Sequence, residues 1–230
     1  MSGVKPVSEI RGVVFDMDGL LLDTEAIFKG AWQYAAKICG YQLSDEMFLQ
    51  FIGRSATDTD ELMVTIFGQE FVPRHFREVA DRYAADFEEK HGLPVKPGVH
   101  RLLDFCHRRG WPCGVASSTH AREVERRLRS SELWHEFDAV TCGDQVVNGK
   151  PHPEIYQTAV GKLGVAAEQC LALEDSHAGV RAAHRAGMTV FMVPDLLPVT
   201  EEMRATADRI FDGLDDALAF LKTELSATAN

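Results

Sequence analysis

The sequence lacks the features that would place it in a membrane or in a secretory pathway. Its longest apolar runs, such as residues 20–22 and 190–193, fall far short of the roughly 20 residues that a membrane span needs. Residues 1–11 contain no apolar stretch of the kind found in signal peptides. We therefore expect a soluble, cytoplasmic protein that has no membrane partner.

Positive charge, paired cysteines and paired histidines are also scarce. The chain has 24 Lys and Arg residues against 35 Asp and Glu residues, a net charge of −11, which disfavours nucleic acid as a partner. Its five cysteines form no CxxC pair, so we expect buried, reduced thiols rather than disulfides or a zinc site. No HxxxH pair occurs among the nine histidines, and we assign them structural roles.

What is present is typical of a folded globular protein. Hydrophobic residues make up 45% of the chain and charged residues 26%. A length of 230 residues is enough for one large domain with a smaller one attached. We therefore expect two structural units.

The larger predicted unit alternates apolar strands with amphipathic helices. Short runs that are apolar on both faces predict buried parallel strands, at residues 12–15, 112–116, 139–141, 170–173 and 189–193, with a sixth at 209–211. Helical periodicity separates them, as at Val99, Leu102, Leu103 and Cys106. This alternation predicts an α/β fold, a Rossmann-like parallel sheet with right-handed crossovers.

One long insertion interrupts that alternation after the first strand. Residues 24–91 show helical periodicity and no strand pattern, with predicted helices at residues 26–38, 45–51, 58–67 and 74–89. The connections to the sheet would be residues 19–24 and 92–98, and the second has the Pro and Gly content of a hinge. The predicted domains are an α/β core, residues 1–22 and 93–230, and a small α-helical domain, residues 23–92.

The chemically most informative segment is FDMDGLLLDTE, residues 15–25, which directly follows the first predicted strand. Asp16 and Asp18 lie at the carboxyl end of that strand, where open α/β sheets bind ligands. A calcium-binding EF-hand loop is disfavoured, because Gly19 stands fourth instead of sixth and Leu20 occupies a ligand position. The apolar residues 20–22 also argue against a solvated turn.

This segment resembles the DxDGxxxDTE pattern of phosphatases in the haloacid dehalogenase (HAD) superfamily. Three further motifs of that superfamily follow in order, each at a predicted strand end or helix start: GVASST, GKPHPE and LEDSHAG. The resemblance covers residues 12–193. The helical insertion is similar to the cap domain of the subgroup of β-phosphoglucomutase-like phosphatases, so the resemblance implies a core with a helical cap.

The resemblance implies a role for each motif in phosphoryl transfer. Asp16 would attack phosphorus to form an aspartyl-phosphate, and Asp18 would protonate the leaving group and then deprotonate water. A carboxyl group that stays neutral at neutral pH needs a closed, partly dry site, which would give the helical cap a purpose. Ser117, the backbone N–H of Ser118 and the charge of Lys150 would bind the phosphate oxygens.

The same resemblance implies Mg²⁺ as the cofactor. Asp16, the backbone carbonyl of Asp18 and Asp175 would be ligands, and so few protein ligands suit an ion that keeps several waters. Glu174 would act on the metal indirectly, by holding one of its ligands or through a water molecule. Glu25 and Arg54, in the insertion, are candidate substrate contacts, although Arg54 could equally be a surface residue in an ion pair.

Other activities remain as alternatives. A dehalogenase of this fold is disfavoured because it lacks the second acid, which Asp18 supplies here, and a phosphonatase needs a cap lysine in a motif that this chain does not have. A β-phosphoglucomutase-like mutase is the closer rival, but Phe28 and Ala56 stand where that enzyme has a histidine and a phosphate-binding arginine. A catalytically silent binding module is the alternative outside enzymes.

The preferred function is a Mg²⁺-dependent phosphatase that acts on a small phosphorylated metabolite through an aspartyl-phosphate. Sugar phosphates, nucleoside monophosphates and phosphoglycolate all stay open as substrates. The sequence leaves the oligomeric state open, and a monomer is compatible with it.

Overall fold

The protein divides into two compact units, residues Met1–Leu22 with Pro94–Asn230, and residues Asp23–Leu93. The computed structural model describes residues 6–52 and 56–227, and within them every side chain except those of residues 25, 26, 56 and 57. Each unit has its own buried apolar residues, as expected of a domain.

The larger unit is built on a six-stranded parallel sheet of order β3-β2-β1-β4-β5-β6. The strands are β1 (Gly12–Phe15), β2 (Cys113–Ser117), β3 (Ala139–Cys142), β4 (Cys170–Glu174), β5 (Thr189–Met192) and β6 (Arg209–Ile210). The four strands β1, β2, β4 and β5 are buried along their whole length, which explains their continuous apolar sequence.

Helices flank this sheet. They are α5 (Val99–Arg108), α6 (Ala121–Ser130), α7 (Glu154–Leu163), α8 (His177–Arg185), α9 (Glu201–Thr206) and α10 (Leu214–Ala227). On one face, buried residues of α7 and α8 pack on strand residues in a single hydrophobic cluster that contains Tyr156, Val180 and Val190. The parallel core with helices inserted after the first strand confirms the predicted fold class.

In the part of the smaller unit that the structure describes there are four helices, α1 (Thr24–Ile38), α2 (Asp45–Leu49), α3 (Ala56–Phe67) and α4 (Pro73–His91). The Trp32 ring contacts three phenylalanine rings of this unit at centroid distances of 5.4–5.6 Å: Phe48, Phe51 and Phe76. Edge-to-face contacts of this kind add specificity to the burial of large apolar surface. Aromatic packing therefore links α1 to α2 and α4.

The observed bounds differ from the predicted ones by one or two residues. Strand β2 begins at Cys113 rather than at Pro112, because a proline has no N–H for a sheet hydrogen bond. Helix α1 begins at Thr24, two residues before its predicted start. The prediction of buried thiols holds for Cys106, Cys113, Cys142 and Cys170 but is wrong for Cys39, which lies half-buried after α1; all five cysteines are free.

Candidate active site

Three of the predicted site residues lie at the carboxyl ends of three adjacent strands. Asp16 follows β1, Ser117 ends β2 and Glu174 ends β4, and β1 pairs with β2 on one side and with β4 on the other. The strand order therefore reverses at β1, and open α/β sheets bind ligands in the crevice at such a switch point.

The segment after β1 is a tight turn that fixes Asp18. Leu21 and Leu22 donate their N–H groups to the carbonyl of Met17, and Gly19 donates to Leu22. The side chains of residues 20–22 are buried, which explains why an apolar triplet follows a pair of acids. The backbone of Asp18 is therefore held beside Asp16.

The Lys150 side chain joins Asp16 to Glu174 through hydrogen bonds. Its Nζ donates to Asp16 Oδ1 and Glu174 Oε1, both at 2.5 Å, and to the Ala116 carbonyl at 2.9 Å. Burial lowers the pKa of Lys150, but Asp16 and Glu174 outweigh this and raise it above its ordinary value, so the ammonium group stays charged. A compact buried cation beside the predicted nucleophile fits the binding of phosphate oxygens.

The Glu174 carboxylate is fully engaged by other protein groups. Oε1 also accepts from Tyr156 Oη at 2.7 Å, and Oε2 accepts from the backbone N–H of Ser176 at 3.1 Å and from its hydroxyl at 3.0 Å. A Cβ at Gly179 would lie 1.7 Å from Oε1, so only glycine fits there. Glu174 holds Lys150 in place, an arrangement that favours an indirect role at the metal over direct ligation.

The Asp18 carboxylate accepts hydrogen bonds from three side chains, two at or just after the end of β2 and one on α6. Arg127 Nη1 donates to Oδ1 at 2.7 Å, Thr119 Oγ1 donates to Oδ2 at 2.9 Å, and Ser117 Oγ donates to Oδ2 at 3.2 Å. The Ser117 hydroxyl, predicted to bind phosphate, thus contacts Asp18 in this structure. Sequence reasoning missed Thr119 and Arg127. The available signal for Arg127 was its i,i+4 spacing from Glu123, with which it also pairs.

Arg127→Met is expected to lower the melting temperature by about 4 to 8 °C, equivalent to about 2 kcal/mol. The reason is that Arg127 is only 7% exposed and has two acidic partners, Asp18 and Glu123, which would each lose a cation. Arg126→Met is the matched control, since Arg126 also pairs with Glu123 but is 45% exposed. Thermal unfolding followed by circular dichroism measures both; equal losses would contradict a special role for the buried pair.

Asp175 lies against the turn after β1. A Cβ built on Gly19, whose φ is +86°, would be 2.4 Å from Asp175 Oδ2, so the carboxylate reaches the backbone next to Asp18. A side chain at position 19 would block this approach, which explains the glycine. Asp175 is thereby brought to the same turn as the other predicted metal ligands.

The charges at these strand ends suit a divalent cation. Six charged groups lie on or directly beside the turn after β1 and Lys150: Asp16, Asp18, Glu174, Asp175, Lys150 and Arg127. Four carboxylates and two cations leave an excess of two negative charges. Burial raises the pKa of Asp16 to about 8, with Lys150 opposing and Glu174 and Asp18 adding to the rise, so further positive charge is needed to keep this group ionised at neutral pH.

The donor set is also compatible with Mg²⁺. Within residues 6–52 and 56–227, no three side chains of His, Cys, Asp or Glu form a metal site by themselves. Two carboxylates, Asp16 and Asp175, with a backbone carbonyl are hard oxygen donors of the kind that bind Mg²⁺ together with retained waters. The residues present therefore fit the ion that the sequence implied.

A second pair of charged residues lies at the same edge and was not foreseen. Lys96 Nζ donates to Asp195 Oδ1 at 2.7 Å, and Asp195 follows β5. Asp195 Oδ2 is 3.5 Å from the Cβ position of Gly19. No motif of the sequence marked either residue.

The two candidate substrate residues of the insertion are only partly accounted for. Arg54 lies outside the described residues. Glu25 lies in α1, but its side chain is also outside the described part. Both roles stay predictions.

Comparison with known proteins identifies the family. A sequence profile described as Haloacid dehalogenase-like hydrolase matches residues 13–193. The chain belongs to the haloacid dehalogenase-like hydrolase family. The predicted family membership is confirmed, and the match spans the strands and loops that carry all four motifs.

Relatives within this hydrolase family carry phosphatase names. The Drosophila melanogaster protein named "Probable pseudouridine-5'-phosphatase" is 34% identical over 219 residues, covering 92% of this chain and 93% of that protein. The phosphorylated carbohydrates phosphatase of Thermotoga maritima is 33% identical over 180 residues, covering 78% and 82%. Enzymes so named are phosphoric monoester hydrolases.

Solved structures of the family share the fold. A HAD family hydrolase from Deinococcus radiodurans, crystallised with bound phosphate and sodium, superimposes with a TM-score of 0.80 at 25% identity. The superposition covers 94% of this chain and 96% of that protein.

Among the helices that the structure describes, none is long and apolar enough to cross a membrane.

Proposed function

We propose that this HAD hydrolase is a Mg²⁺-dependent phosphatase that hydrolyses the phosphate monoester of a small metabolite. The observation that carries the proposal is the contact of Lys150 Nζ with Asp16 Oδ1 at 2.5 Å, beside the backbone turn that holds Asp18. A nucleophilic carboxylate, a buried cation and a second carboxylate are the groups that phosphoryl transfer requires.

In the proposed mechanism, a carboxylate oxygen of Asp16 attacks phosphorus in line with the leaving oxygen. The P–O bond to the substrate breaks, Asp18 gives its proton to that oxygen, and an aspartyl-phosphate remains on Asp16. Asp18 then removes a proton from water as the water attacks phosphorus, which releases inorganic phosphate and restores Asp16. Lys150 stabilises the negative charge on the phosphoryl oxygens throughout.

Asp16, the Asp18 carbonyl and Asp175 would hold the Mg²⁺ ion. When bound, Mg²⁺ neutralises phosphoryl charge and keeps Asp16 ionised. Glu174 positions Lys150 through Oε1 and is itself fixed by Tyr156 and Ser176.

The proposed substrate class is phosphorylated sugars and their close relatives. Support comes from the relatives, which are named for pseudouridine 5'-phosphate and for phosphorylated carbohydrates. A mutase that returns the phosphoryl group to sugar is disfavoured by Phe28 and Ala56, which stand where the resemblance to β-phosphoglucomutase would require a histidine and an arginine.

The test is release of inorganic phosphate from a broad panel of phosphorylated metabolites, with Mg²⁺ and with a chelator. We expect metal-dependent release from a few related sugar phosphates. Transfer of phosphate from a sugar bisphosphate to sugar without release would instead indicate a mutase. No turnover of any compound, including an activated aryl phosphate, would indicate a silent binding module.

A further inference from the structure

Asp195 has one carboxylate oxygen that the protein itself does not satisfy. Oδ1 accepts from Lys96 Nζ at 2.7 Å, and both side chains are about one-fifth exposed (21% for Lys96 and 18% for Asp195). Oδ2 is buried and has no hydrogen-bond partner among the residues that the structure describes. Leaving a buried carboxylate oxygen without a hydrogen-bond donor is energetically costly. We therefore expect Oδ2 to accept a hydrogen bond from a group that is bound when the protein functions.

The position of Oδ2 shows where that group would be. The point at which a Gly19 Cβ would lie is 3.5 Å from Asp195 Oδ2 and 2.4 Å from Asp175 Oδ2. The two oxygens are therefore at most about 5.9 Å apart, the sum of these distances. An upper limit of this size places both oxygens within reach of a single water molecule that donates a hydrogen bond to each of them.

We propose that Asp195 is a positioning residue for the metal, and that its Oδ2 accepts a hydrogen bond from a water molecule bound to the Mg²⁺ ion held by Asp16 and Asp175. Lys96 binds Oδ1, which leaves Oδ2 as the oxygen that can accept from this water. The inference rests on the proposed function, because it requires that Mg²⁺ binds at these strand ends.

The chemistry of Mg²⁺ supports this role. The ion keeps several of its waters when it binds protein, and these waters are strong donors that need fixed acceptors. Groups that hydrogen-bond to metal-bound ligands orient them, and their loss costs about 10- to 100-fold in affinity. Asp195 would supply such an acceptor without occupying a coordination position.

Mg²⁺ binding to the metal-free chain, measured by isothermal titration calorimetry without substrate, tests the proposal. Asp195→Asn removes the acceptor charge and is expected to raise the Kd for Mg²⁺ about 10-fold or more. Lys96→Met breaks the same ion pair from the other side but removes a positive charge, so its Kd is expected to be unchanged or lower. A Kd that rises in Asp195→Asn but not in Lys96→Met separates the acceptor role of Asp195 from a structural role of the ion pair.

Asp215→Asn is the control, since Asp215 is ion-paired with Arg101 in the same unit and is half exposed. Its Kd should equal that of the parent. A Kd raised equally in Asp195→Asn and Lys96→Met, or unchanged in Asp195→Asn, would overturn the proposal. If Asp195→Asn does not fold by circular dichroism, Lys96→Met decides alone, and a raised Kd there overturns it.

Mg²⁺ binding by the parent protein distinguishes a failure of this inference from a failure of the proposed function. If the parent binds Mg²⁺ and the variants behave otherwise than expected, only the role of Asp195 is wrong. If the parent does not bind Mg²⁺, the metal requirement of the proposed function fails, and the role of Asp195 fails with it.

Discussion

Asp16→Asn is expected to abolish phosphate release, with a loss of about 10⁶-fold or to below detection, as for other enzymes that lose a covalent nucleophile. The amide that replaces the carboxylate is a poor nucleophile and also removes the anionic partner of Lys150 Nζ at 2.5 Å. The measurement is phosphate release from the best substrate of the panel in the presence of Mg²⁺. Release at the parent rate would rule out the covalent mechanism.

The loss must be shown to come from chemistry and not from unfolding. Because burial raises the pKa of Asp16 from 3.8 to about 8, the ionised carboxylate destabilises the metal-free folded state, whose stability should fall as the pH rises through this interval. Asp16→Asn removes this destabilising charge. We therefore expect the variant to be folded and no less stable than the parent at pH 8 with chelator, as measured by thermal unfolding.

Asp104→Asn serves as the activity control for this substitution. Asp104 lies on α5 in the same unit, is 54% exposed and pairs with Arg108 one helical turn away. Surface pairs of this kind contribute about 0 to 1 kcal/mol, so the variant should turn over at the parent rate.

The fold could be predicted because local sequence and final environment agree. Strands β1, β2, β4 and β5 are buried on both faces, so their sequence is apolar without alternation and marks them clearly. Helix starts were less predictable. The prediction began α1 at Ala26, where the apolar pattern starts, but hydrogen bonding extends the helix back to Thr24, which carries no apolar signal.

The motifs located the site but not the contacts within it. Asp16, Lys150 and Glu174 stand in motifs, and the structure brings them together. Arg127 and Asp195 stand in none, and they reach the site only because the fold brings α6 and the segment after β5 to the turn that follows β1. Contacts of this kind join residues that are far apart in the chain and depend on tertiary packing. No local pattern in a single sequence predicts them.

Ser117 illustrates the same limit at a residue that the motifs did mark. Its place at the end of β2 was predicted, but the direction of its hydroxyl was not. The hydroxyl both donates to Asp18 Oδ2 and accepts from the backbone N–H of Thr119 at 3.1 Å. Side-chain hydroxyls choose among nearby partners, so their contacts follow from the finished fold.

Asp18→Asn is expected to lower turnover of a sugar phosphate by about 10²- to 10⁴-fold, the range for loss of a positioned acid and base. The loss should be smaller on p-nitrophenyl phosphate, whose leaving group departs without a proton, although water still has to be deprotonated in the second step. Steady-state kcat/KM on both substrates measures this difference, because it reports the step in which the leaving group departs and not the later attack of water.

Arg127→Met is the matched comparison for Asp18→Asn, because it breaks the same ion pair at 2.7 Å while leaving the Asp18 carboxyl group in place. If Asp18 acts as acid and base, Asp18→Asn should show the dependence on leaving group and Arg127→Met should show little of it. Equal losses for the two variants on both substrates would mean that the ion pair supports the structure of the site and that the proton donor is another group. The ratio between substrates therefore decides the role of Asp18 more sharply than the size of either loss.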